Sequence, residues 1–120
     1  MKKLILAIIL FPVLAFGAHP FLEKDYQAAW CERAGGLQEV VLSDLARADC
    51  LTTTHAIEFD FAPKWAESIG QALYYSIMTG KKPGVVLILE TPRDAYLYRL
   101  QAVAEKYGIT VWTMTPGDLK

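Results

Sequence analysis

Apolar and polar positions are spaced differently along successive stretches of this chain, and each spacing predicts an element. From Phe21 to Arg33, Leu22, Tyr26 and Ala29 share one helical stripe, with Glu23, Lys24, Asp25 and Glu32 on the exposed side. Gly35-Gly36 ends that helix. Glu39 to Leu42, Arg47 to Thr52 and Ala56 to Phe61 read as three short strands separated by Ser43-Asp44 and Thr53-Thr54-His55. Turns this tight imply an antiparallel meander. Pro63 suits the first turn of a helix reaching about Met78 before Gly80, with Trp65, Ile69, Leu73 and Ile77 expected against the sheet. Lys64, Ser68, Gln71 and Tyr75 form a second, polar stripe.

Val85 to Leu89 shows no alternation, as a strand covered on both faces should. Strand, helix, strand then implies a right-handed crossover, with Val85 to Leu89 parallel to Ile57 to Phe61. Thr91-Pro92-Arg93-Asp94 opens a helix with Tyr96, Leu100, Val103 and Tyr107 inward and Gly108 at its end, and Ile109 to Met114 is a last strand. The expected architecture is α/β, in the order α-β-β-β-α-β-α-β, a mixed sheet with helices on both sides.

The first eighteen residues differ in kind. Lys2 and Lys3 precede an apolar run from Leu4 to Phe16 that ends in small residues, the layout of a secretory signal peptide. The run is shorter than the roughly 20 residues that span a bilayer, and Pro12 interrupts it, so cleavage rather than anchoring is expected. Residues 19–120 would then form one domain in the periplasm or outside the cell. Loss of Lys2 and Lys3 leaves ten Lys and Arg against thirteen Asp and Glu, a net charge of about −3. That balance argues against strong standing affinity for phosphates. An oxidising compartment favours pairing of Cys31 with Cys50, tying the first helix to the sheet; the alternative is two small buried side chains.

The candidate chemistry lies in the middle of the chain. On a strand, Glu58 and Asp60 point one way and Ile57, Phe59 and Phe61 the other. Asp49 stands on the neighbouring strand. Carboxylates brought together without a cation resist ionisation, and a divalent ion removes that penalty.

Asp49, then Glu58 and Asp60, then Gln71-Ala72-Leu73-Tyr74-Tyr75 on the next helix resemble the PD-(D/E)XK nuclease superfamily, the last matching the Gln-x-x-x-Tyr helix of its RecB-type branch. Glu39 behind Gly35-Gly36 is similar to the leading glutamate of archaeal Holliday-junction resolvases. The resemblance covers roughly Leu22 to Trp112 and implies a restriction-endonuclease-like fold acting as a Mg²⁺- or Mn²⁺-dependent nuclease on DNA. It also implies metal ligands Asp49, Glu58 and Glu39, and substrate contacts from Gln71 and Tyr75. Junction enzymes of this fold work as dimers, so a homodimer is also implied. The superfamily places a lysine two residues after the strand glutamate. Here that residue is Asp60, and Lys64 is the nearest replacement; Asp60 is then either a third ligand or the mark of a site without catalysis.

Blander readings exist for each residue. Asp49 could pair with Arg47 at the surface. Glu58 and Asp60 could line the solvated face of an edge strand. Gln71, Tyr75 and Lys64 could be ordinary helix-surface residues. His55 reads as a turn residue, and Trp30, Trp65 and Trp112 as core anchors before stacking platforms. Lys81, Lys82, Arg93 and Arg99 could line a phosphate track or be scattered solvated charges. On these readings the domain is an inactive binding module, or an envelope protein with no nucleic-acid role.

Overall fold

The computed structural model describes residues 8–9, 18–92 and 95–120. Nearly all of the expected leader, and Arg93 and Asp94 at the start of the last helix, lie outside them. No helix among the described residues is long and apolar enough to cross a membrane. The elements are α1 (Glu23–Arg33), β1 (Leu37–Val41), β2 (Arg47–Leu51), β3 (His55–Phe61), a 3-10 turn (Ala62–Lys64), α2 (Trp65–Thr79), β4 (Lys82–Ile88), α3 (Ala95–Tyr107), β5 (Thr110–Met114) and a closing 3-10 turn (Pro116–Leu119). Among the described residues, these elements and the apolar clusters all fall between His19 and Lys120.

The five strands form one mixed sheet in chain order, β1-β2-β3-β4-β5. β1, β2 and β3 are antiparallel neighbours; β3, β4 and β5 run parallel, as strands joined through helices must. The α/β class, the mixed sheet and the flanking helices agree with expectation. β3 is central, paired with β2 on one side and along its whole length with β4 on the other.

One sheet face packs α1 against Cys50, Ile57, Phe59, Val86, Ile88 and Met114. Its aromatic side chains meet mostly edge-on: Tyr26 to Phe61 at 6.1 Å, Trp30 to Phe59 at 5.8 Å. Cys31 and Cys50 form a disulfide across this layer, with Cα atoms 5.9 Å apart. Gly36 is required beside it. A Cβ there would lie 2.6 Å from Cys50 Sγ and 2.8 Å from Cys31 Sγ, inside any tolerable contact. The other face packs α2 and α3, the latter through Leu100, against Val85, Leu87 and Ile109.

Three orientations differ from those the spacing predicts. In α2 Trp65, Ile69 and Leu73 pack on the core as the spacing predicts, but Ile77 is 78% exposed, and the buried side chains are Ser68, Ala72 and Tyr75, members of or neighbours to the stripe expected to be polar. At 100° per residue Ile77 sits about 140° around the helix from Ala72, which takes it off the buried arc. Ser68 tolerates full burial because its hydroxyl donates to the Trp65 carbonyl at 2.6 Å. Leu22 precedes α1 and is exposed, and Tyr107 closes α3 with its ring exposed.

Candidate functional site

The site begins with a break in strand regularity. Alternation would put Ala48 and Cys50 on the same face of β2. Instead Ala48 packs with Ala56 and Tyr75 on the α2 side, and Cys50 packs with Ile57 on the α1 side. The switch occurs at Asp49. Opposite it, between the pairs Gln38↔Cys50 and Val40↔Ala48, Glu39 adopts a left-handed backbone with φ 51°. A non-glycine residue held there costs of order 1–3 kcal/mol. The β2–β3 backbone pairs, Cys50↔Ile57 and Leu51↔Ala56, stop at the same point. Beyond them the Phe59 N–H donates to Asp49 Oδ2 at 2.8 Å, so a carboxylate takes the place of a strand carbonyl.

This distortion turns Asp49 toward Glu58. The Glu58 carboxyl lies close enough to that of Asp49 for each to alter the other's proton affinity. Glu58 is 4% and Asp60 6% exposed, so neither lies on a solvated edge. Burial first, and then the charges of Asp49 and Asp60, push Glu58 up to about 10. Burial, Glu23 and Asp49 push Asp60 up to about 7 against the pull of Lys64. Asp49 is raised as well, chiefly by burial. At neutral pH the Asp49–Glu58 pair therefore holds a proton between two carboxyl groups. Among the described residues Asp60 Oδ2 has no hydrogen-bond partner though buried, the kind of acceptor a folded chain seldom leaves unmatched.

α2 closes the site from above. The Gln71 amide, set so that its nitrogen donates, lies 2.5 Å from Glu58 Oε1 and 3.2 Å from Oε2. The Tyr75 hydroxyl lies 3.4 Å from the same Gln71 amide, and burial, then the charge of Glu58, push it well above its usual range. Gln71 is thus the contact of Glu58, and Tyr75 backs Gln71. Lys64 is exposed at the N-terminal end of α2, and its charge lowers Asp60 and Glu23.

Glu39 does not join the Asp49–Glu58 pair. It is exposed, and its Oε1 accepts from Gln27 Nε2 at 3.1 Å. Among the described residues no three His, Cys, Asp or Glu side chains already stand at metal-ligand spacing, so the expected trio Glu39, Asp49 and Glu58 is not preformed.

Two neighbours escaped the sequence reading. Glu23, expected on the exposed side of α1, is half-buried and raised by burial, then by Asp49 and Glu39. Gln27 is 3% exposed. Their spacing of four residues beside the inward Tyr26 was the available signal. Lys81, Lys82 and Arg99 lie elsewhere. Lys81 and Lys82 lie at the opposite end of β3 and β4, where His55 pairs with Lys82 and Lys81 Nζ donates to the Thr53 carbonyl at 3.2 Å. Arg99 sits over the Tyr96 ring at 5.9 Å on α3. His55 bridges Thr54 and Thr110, at 2.7 and 2.9 Å, and Trp30 and Trp112 pack on each other with centroids 5.0 Å apart. No family model, no curated protein and no solved structure matches this chain.

Proposed function

We propose that the chain is an exported, Mg²⁺- or Mn²⁺-dependent nuclease acting on DNA, built on a restriction-endonuclease-like α/β core. The observation that carries the reading is the pairing of Asp49 with Glu58 beside the unmatched Oδ2 of Asp60, all under α2. Such a cluster of hard oxygen donors is costly as three anions and cheap with a cation present. Mg²⁺ suits it, because that ion takes one or two carboxylates and keeps several waters, so a preformed trio is not needed.

In this reading Asp49 and Glu58 hold the ion, with Glu39 within reach from β1. Bound there, the ion would lower the pKa of a water and offset charge on the phosphodiester. The chain's own groups do the rest. Phe59 N–H fixes the Asp49 carboxylate, and Gln71, backed by the Tyr75 hydroxyl, orients Glu58. Asp60 stands where the superfamily has its lysine, and Lys64, whose charge acts on Asp60, supplies the nearest amine. The exported location rests on the leader, and the dimer on the superfamily resemblance.

The second reading is a domain of the same fold that binds nucleic acid or a protein without cleaving it. It is favoured by Asp60 at the lysine position and by the mature charge of about −3.

Incubating the segment from Ala18 onward with plasmid and single-stranded DNA in Mg²⁺, Mn²⁺ or EDTA separates them. The nuclease reading expects metal-dependent cleavage, abolished in both Asp49→Ala and Glu58→Ala and reduced about 10²-fold or more in Lys64→Ala. Metal-dependent binding without cleavage supports the second reading. Cleavage that persists in EDTA or in both acid variants overturns the first.

A further inference from the structure

The residue after Asp49 is tied covalently to α1. The Cys31–Cys50 bond closes the segment 31–50, which contains both Asp49 and Glu39, and both cysteines are fully buried. α1 has its own hold on the sheet, because Tyr26 and Trp30 set their rings against Phe61 and Phe59. Val85, Leu87 and Leu100 belong to a separate core under α2 and α3. The effect of the bond is therefore local.

It falls on the break in β2. Ala48 and Cys50 pack on opposite sides, Glu39 is held at φ 51°, and the β2–β3 backbone pairs stop at Cys50↔Ile57. A strand free to relax would let Cys50 rejoin the face of Ala48 and turn Asp49 away from the Phe59 N–H. α1 bars this at two points: the Cys31 sulfur holds Cys50, and the Gln27 amide donates to Glu39 Oε1 at 3.1 Å. The covalent hold is the stronger. As thiols the two sulfurs would also have to part, and Gly36 is packed against both of them. With α1 anchored by its rings, β2 takes up the movement.

We propose that the Cys31–Cys50 bond is a redox gate on the acid site: Asp49 is set beside Glu58 only once the two thiols have been oxidised. The oxidant is a disulfide donor, such as oxidised glutathione or a thiol–disulfide oxidase. One cysteine attacks the donor, forming a mixed disulfide and releasing one donor thiol; the other then closes Cys31–Cys50 and releases the second, and the two cysteine protons pass to the two departing sulfurs. Because both sulfurs end fully buried, the gate operates once, during folding. The inference rests on the exported-nuclease reading and adds its regulation: in a reducing cytoplasm the chain has no assembled cation site. The link is the single main-chain step from Cys50 to Asp49, not the packing of the apolar layer.

The test refolds the segment from Ala18 onward, in EDTA, with oxidised glutathione or with excess dithiothreitol, and follows amide hydrogen exchange. The oxidised protein is expected to protect the Phe59 amide, whose acceptor is Asp49 Oδ2. In the reduced protein the β4 amides should stay protected while Phe59 exchanges about 10²-fold faster, and oxidised glutathione added afterwards should restore it. Cys31→Ser should show no such recovery. Phe59 exchanging alike in both forms, or recovery in Cys31→Ser, would overturn the proposal. So would loss of β4 protection on reduction, because the bond would then hold the whole fold. With no metal and no DNA present, failure here is distinguishable from failure of the cleavage assay.

Discussion

The two faces of β3 bury their side chains on opposite terms. On one, Ile57 and Phe59 join α1, Met114 and the disulfide in an apolar layer that loses nothing by leaving water. On the other, Glu58 and Asp60 are sealed as tightly, yet each must give up charge to be there. Buried carboxyls of this kind are a cost unless something repays them. The apolar face explains why the domain folds, and the acidic face is where a ligand has something to gain.

Substitutions should separate the two faces. Phe59→Ala removes a large side chain from the apolar layer and is expected to cost about 3–5 kcal/mol in denaturant unfolding, with cation affinity of the remaining folded protein within about threefold of the parent. A larger loss of affinity would mean the faces are not independent.

pH is expected to act through the acidic face. Glu58 at about 10 and Asp60 at about 7 are both above their ordinary values of 4.5 and 3.8, so the folded state holds more protons than the unfolded one. Their contribution is complete below about pH 4 and is lost as pH rises toward 10, with a slope near 1.4 kcal/mol per pH unit for each proton difference. Metal-free protein should therefore unfold more easily at pH 8 than at pH 6, and saturating Mg²⁺ should flatten that slope. A slope of opposite sign, or one unchanged in Glu58→Gln combined with Asp60→Asn, would contradict the burial of these acids.

The smallest expected effect is at α2. Tyr75→Phe removes the hydroxyl 3.4 Å from the Gln71 amide and should cost about 1 kcal/mol of stability, with a measurable change in cation affinity because Gln71 contacts Glu58. An unchanged affinity would reduce Tyr75 to packing.

How much of this could be read from residues alone follows from the period involved. The order of elements, the crossover and the two faces of β3 were legible, because alternation and helical spacing run over several residues. The Cys31–Cys50 bond was one of two open readings, the other being two small buried side chains. The break at Asp49 was not, since a one-residue distortion flips side chains without leaving a pattern. The face of α2 was legible at Trp65, Ile69 and Leu73 but not at Ile77 or Ser68, since a serine that satisfies its own hydroxyl can be buried without an apolar pattern. Glu23 looked like solvent-facing charge because helix position alone cannot say which acids converge across elements.

Isothermal titration of Mg²⁺ and Mn²⁺ into the segment from Ala18 onward, repeated at pH 7 in buffers of different ionisation enthalpy, addresses the cation most directly. A shared site at Asp49 and Glu58 predicts saturable binding that releases about one proton per ion, strengthens about tenfold per pH unit, and disappears in both Asp49→Asn and Glu58→Gln. Absence of binding, binding without proton release, or binding that survives both substitutions would contradict it.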